Sequence, residues 1–215
     1  MTEAEWLACT DPQPMLEFLR DKASVRKLWL YAAACCRRLQ QGQYAHVFHL
    51  TKAQDLLTRA IVATECYADG EVGWQERKNA WLEWMEAEHA ASDSDLMWYS
   101  FLRAQMMGSA WHAARVGCEA RALGDTGAAA LLRDIFGRLP FRSVAIDPAV
   151  LHRGRGAVTA TARRIYDARA FHELPHLADV LEGGGGAPTE VVAHCRERGE
   201  HVRGCWVVDL LLGNK

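Results

Sequence analysis

Apolar side chains recur at helical spacing through nearly all of residues 1–137, and almost nothing alternates as a strand would. A chain whose segments each carry one apolar stripe must pack helix on helix, so the pattern predicts an all-α fold. Helix starts are written in the sequence. Thr2-Glu3-Ala4-Glu5 is a capping box, in which the Thr2 hydroxyl and the Glu5 carboxylate each satisfy the other residue's free amide. Asp11-Pro12 opens a second short helix, with Pro12 at a position that has no amide to lose. Ser24 caps a third, in which Val25, Leu28, Trp29, Ala32, Cys35, Cys36 and Leu39 form one stripe.

Further helices are expected over 51–68, stopped by Asp69-Gly70, over 74–91, over 96–123 and over 128–136. Ala104, Gly108 and Ser109 are small enough to let a neighbouring helix approach. Residues 139–148 hold two prolines and β-branched side chains, which predicts an extended connector. Beyond it, helices are expected at 158–169, 171–181 and 189–198, with Gly183-Gly184-Gly185-Gly186 as a flexible loop. The expected architecture is a compact multi-helix bundle. Residues 1–138 form its N-terminal half, and residues 139–215 form the connector and a smaller C-terminal helical half.

With 215 residues, 50% of them hydrophobic, the chain is long enough to bury a substantial core. A net charge of −2 gives no basic footprint for nucleic acid. Nearly uninterrupted apolar runs, such as 207–212, are far too short to span a bilayer, and the first residues are acidic where a signal peptide is basic. These features predict a cytoplasmic protein that engages neither nucleic acid nor membrane. Seven cysteines, an odd number, rule out a fully paired disulfide framework and predict buried thiols.

Several segments carry a family resemblance. They are Met1-Thr2-Glu3-Ala4-Glu5-Trp6-Leu7, Cys35-Cys36-Arg37-Arg38, Leu132-Arg133-Asp134-Ile135-Phe136-Gly137, Ile165-Tyr166-Asp167 and the stretch from His201 to Gly213. Together they resemble a paralogous family of uncharacterised proteins abundant in planctomycete-type bacteria. The resemblance implies a bacterial cytoplasmic origin and carries over no residue role.

The densest chemistry lies near the C-terminus, where the 13 residues from His194 to Trp206 hold two histidines, two cysteines and three arginines. His194, Cys195, His201 and Cys205 are the candidate metal ligands, for zinc or iron, because close-spaced Cys and His can supply several donors from one loop. His201 and Cys205 stand four apart, but no Cys-x2-Cys knuckle is present, and the adjacent His194 and Cys195 point in different directions. The competing reading buries both cysteines and leaves the histidines hydrogen-bonded to backbone, as the glycine-punctuated entry to a final buried helix. Cys35-Cys36 reads as core packing. No serine elbow, phosphate loop or paired helical metal motif occurs, so no catalytic residue is assigned.

Trp74, Trp81, Trp84 and Trp98 form the other candidate site, an aromatic stripe that serves either as a groove for a partner or as core. Arg196, Arg198 and Arg203 alternate with Glu197 and Glu200 and read as surface salt bridges. The expectation from sequence is a non-enzymatic interaction or scaffold module without cofactor, binding a protein partner or itself. Its alternative is a metal-binding or thiol-dependent protein centred on the C-terminal cluster.

Overall fold

The computed structural model describes residues 1–41, 51–89, 109–119, 125–138 and 141–214. The fold is all-α, and no strand occurs among the described residues. Eleven α-helices are present there: α1 (Glu3–Ala8), α2 (Pro12–Phe18), α3 (Val25–Gln41), α4 (Thr51–Ala68), α5 (Trp74–His89), α6 (Ala110–Glu119), α7 (Asp125–Phe136), α8 (Pro148–Ala168), α9 (Leu174–Gly184), α10 (Thr189–Cys195) and α11 (Trp206–Leu212). A short 3-10 turn, Phe171–Glu173, leads into α9. No described helix is long and apolar enough to cross a membrane.

The caps read from the sequence form. Thr2 N–H donates to Glu5 Oε2 at 2.7 Å, and Glu5 N–H donates to Thr2 Oγ1 at 3.2 Å. Gln13 N–H donates to Asp11 Oδ1 at 2.9 Å, and Lys27 N–H to Ser24 Oγ at 3.3 Å. Each removes one of the amides that a helix start leaves without a partner.

The chain divides into two compact units. In Ala8–Ala129, α3 packs against both α4 and α6, and α4 packs against α5. Gly117 makes the α3–α6 approach possible, since a Cβ there would lie 3.1 Å from Cys35 Sγ. Of the small residues expected to serve a close approach, Ala104 and Gly108 lie outside the described residues. Arg77 is fully buried, its guanidinium 4.0 Å from the Trp29 ring centre and 4.6 Å from that of Trp74. Two aromatic faces thus replace part of the water that this cation gave up.

The other unit comprises Met1–Leu7 and Ala130–Lys215. Here α8 packs on α9 and α11, and α10 packs on α9 and α11. Val158, Ala162, Ile165, Leu177, Leu181, Val191, Val207 and Val208 fill the core. The N-terminal residues belong to this unit through Trp6, which is buried edge-on against Phe141, and Glu3, which pairs with Arg138 at 2.7 Å.

Several expectations need correction. The helix expected over 96–123 is not continuous: Ser109 is non-helical and accepts the His112 N–H at 3.3 Å as α6 begins at Ala110. The helix expected over 189–198 ends at Cys195. Helix α8 starts at Pro148, ten residues before the expected Val158, because Asp147 caps it by accepting the Ala149 N–H at 2.8 Å. Gly183 and Gly184 are not loop but the end of α9, and Gly185, at φ 66°, is the capping residue that ends it. Residues 141–147 are non-helical, as the connector predicts.

Candidate metal centre

Four side chains of the C-terminal unit converge: Asp134 from α7, His194 from α10, His201 from the following loop and Cys205 from the residue before α11. One donor atom from each lies within 4.8 Å of all the others. Asp134, His194 and Cys205 are buried, and the His201 side chain is only 7% exposed.

Local sequence aims each of them. On α7, Leu131, Leu132 and Ile135 are buried, and Asp134 is set among them. On α10, Val191 and Cys195 are four apart and both face the core, so His194, one residue from Cys195, is turned about 100° away toward Asp134. Gly204, at φ 97°, makes the turn that delivers Cys205 to the start of α11. The Cys205 side chain makes no capping bond to that helix. Its sulfur instead lies 3.3 Å from His194 Nε2.

Around Asp134 the contacts are close. Oδ1 lies 3.1 Å from His194 Nε2 and 2.6 Å from His201 Nδ1, while Oδ2 accepts the Val202 N–H at 2.9 Å. The outer nitrogens of both rings are turned to one residue, Glu197. His194 Nδ1 lies 3.3 Å from Glu197 Oε2, and His201 Nε2 lies 3.4 Å from the Glu197 carbonyl oxygen. A metal-bound histidine characteristically donates its outer N–H to a carboxylate or a backbone carbonyl, which fixes the tautomer and aims the inner lone pair. Here both rings have that support.

That arrangement has an electrostatic consequence. With the outer nitrogens donating, each neutral ring presents a lone pair to a carboxylate oxygen that can only accept. A positive charge, proton or metal, must lie between them. The surrounding electrostatics point the same way. Burial disfavours a charged His194, yet the Cys205 sulfur, Asp134 and Glu197 outweigh it and hold the ring above the ordinary imidazole range. His201 is raised in the same way, with burial again opposed by Asp134 and Cys205. Burial pushes Asp134 up, but hydrogen bonds from both histidines hold its carboxyl below the usual range.

Of the four ligands expected from sequence, His194, His201 and Cys205 come together. Cys195 does not; it is buried in the core, where burial pushes its thiol up to about 12. Asp134 takes its place, and the sequence reading missed it. The available signal was an acid set among the buried positions of α7. Of the backbone partners expected for the histidines, His201 has one in the Glu197 carbonyl, but the shortest contact of each ring is to Asp134.

Two of the four tryptophans of the aromatic stripe are core. Trp81 and Trp84 are 1% and 2% exposed, and Trp81 Nε1–H donates to Thr64 Oγ1 at 2.8 Å, so neither offers a surface to a partner. Trp74 is 41% exposed, and Trp98 lies outside the described residues. Arg196 forms the expected salt bridges, although with Asp179 and Glu182 of α9, and Arg203 is buried with its guanidinium over the Tyr166 ring. Compared with known protein families, curated proteins and solved structures, the chain matches none.

Proposed function

We propose that the C-terminal unit binds a divalent metal ion, zinc being the best match, through Asp134, His194, His201 and Cys205. One observation carries the reading: four donors converge, and Glu197 holds the outer nitrogens of both rings so that their inner nitrogens face the cluster. One thiolate, two imidazoles and one carboxylate are all donors that zinc accepts in a tetrahedron.

Donor spacing supports the fit. Bonds of about 2.0–2.3 Å place tetrahedral donors roughly 3.3–3.7 Å apart. The His194 Nε2–Cys205 Sγ and His194 Nε2–Asp134 Oδ1 separations of 3.3 and 3.1 Å are close to that range. The 2.6 Å edge between His201 and Asp134 must widen, and donor separations that reach up to 4.8 Å must close. The ion would tie α7, α10, the 199–204 loop and α11 together, and its binding energy would add to folding stability.

An iron site of two histidines and one carboxylate uses three of the same donors. The thiolate favours zinc. The interaction-module reading loses support because Trp81 and Trp84 are buried. Metal analysis of protein purified without added metal tests the proposal. About one zinc per chain is expected, falling several-fold in Cys205→Ser and Asp134→Asn. Absence of metal from wild-type protein that remains metal-free after zinc is supplied would overturn it.

A further inference from the structure

A cleft of about 320 Å³ opens on the metal centre from one side. Two helical stripes form its walls: Ala130, Arg133, Asp134 and Gly137 from α7 and the residue after it, and Glu190, Ala193, His194 and Glu197 from α10 and its continuation. Both follow the i, i+3, i+4, i+7 pattern of a single helix face. The space exists because Ala130 and Ala193 have so little side chain to put into it.

The lining discriminates among the four donors. Asp134, His194 and His201 line the cleft, whereas Cys205 does not. An ion held by the four would therefore have the sulfur behind it and the cleft in front. A site sealed on every side would serve structure alone; one whose ion faces a cleft can take a further ligand, and zinc expands from four to five donors when it does.

The charge around the cleft restricts that ligand. Asp134, Glu190, Glu197 and Glu200 supply four carboxylates against the guanidinia of Arg133 and Arg138. His194 and His201 face the cleft as well and carry either protons or the ion, so the lining has no fixed surplus of negative charge and the ion is the one Lewis acid that it presents. An oxygen donor such as a small carboxylate is thus bound by the ion itself and not by the arginines, of which Arg138 is paired with Glu3.

Resting on the metal reading above, we propose that the centre keeps one coordination face open to the cleft and binds a small carboxylate-type anion there. The bond formed is a simple coordinate bond from ligand oxygen to metal, with displacement of water.

Full-length protein loaded with cobalt(II) tests this, with acetohydroxamate as the probe. Cobalt–thiolate absorption reports occupancy, and the d–d bands report coordination number. A saturable change in the d–d bands on titration is expected, with the thiolate band retained. Metal-free protein is expected to bind no probe. Gly199→Leu places a side chain at the cleft rim, where a Cβ meets nothing within 4 Å. It is expected to weaken the probe about tenfold while leaving the cobalt spectrum intact. Ala193→Phe, filling the cleft from α10, serves as the second variant. An intact thiolate band with d–d bands unmoved by the probe would overturn the open face while sparing the metal site. No cobalt–thiolate band at all would overturn both.

Discussion

Trp206 is a core residue whose ring borders the His194 ring of the candidate centre, and its packing can be measured through one glycine. Gly137 takes φ 53°, and a Cβ built there would lie 2.5 Å from both Cγ and Cδ1 of the Trp206 ring. That ring is 2% exposed, and its centre is 5.3 Å from that of His194. Gly137→Ala therefore carries two costs. The left-handed backbone costs about 1 kcal/mol for any residue with a Cβ. Displacing a buried indole costs about 1–3 kcal/mol more, as overpacked cores do. Gly213→Ala isolates the first cost, since Gly213 has φ 71° and an added Cβ meets nothing within 4 Å. With a urea slope of about 2 kcal/mol/M, Gly137→Ala should lower the midpoint by about 1–2 M and Gly213→Ala by about 0.5 M. Urea titrations followed by near-UV circular dichroism measure both. Equal shifts in the two variants would refute the close contact between Gly137 and Trp206.

Other outcomes follow from the same contacts. Glu197→Gln leaves the four donors in place but weakens the support of His194 Nδ1, so zinc affinity should fall about 10–100-fold in a chelator competition, with folding retained. Thr64→Val removes the hydroxyl that accepts the Trp81 N–H and strands a buried donor, so it should cost about 1–3 kcal/mol in denaturant unfolding. Stability against pH should change sign with metal. In metal-free protein both histidines are held above their unfolded value of about 6.5, so their contribution is complete below that pH. It is lost as pH rises through the folded values, about 10 for His201. In zinc-loaded protein, protons compete with the ion for the same donors, so stability falls as pH drops below neutral. Urea midpoints across the two ranges, with and without a chelator, check both slopes.

The sequence disclosed local features best. Thr2-Glu5, Asp11-Pro12 and Ser24 each satisfy amides within three residues, so their chemistry is complete in a short window. The start of α8 carries the same Asp-Pro signal at Asp147-Pro148, but the two prolines of 139–148 also read as an extended connector, which hides it. Gly156 does take φ 79° within the span, a conformation that glycine accepts cheaply. Of the centre, the three donors within a 12-residue window were legible because proximity in sequence is a guide to proximity in space. Asp134, 60 residues before His194, was not. Its place depends on how α7 packs, and an acid next to Arg133 on that helix has no distinguishing spacing. Cys195 was chosen for nearness alone, and helix geometry turned it into the core beside Val191.

X-ray absorption at the zinc edge of the purified, zinc-loaded chain addresses the central claim most directly, because it reads donor type and distance together. The account predicts one sulfur at about 2.3 Å with nitrogen and oxygen neighbours at about 2.0–2.2 Å, and loss of the sulfur shell in Cys205→Ser. A first shell of oxygen and nitrogen alone in the wild-type protein, or a sulfur shell that survives in Cys205→Ser, would contradict it.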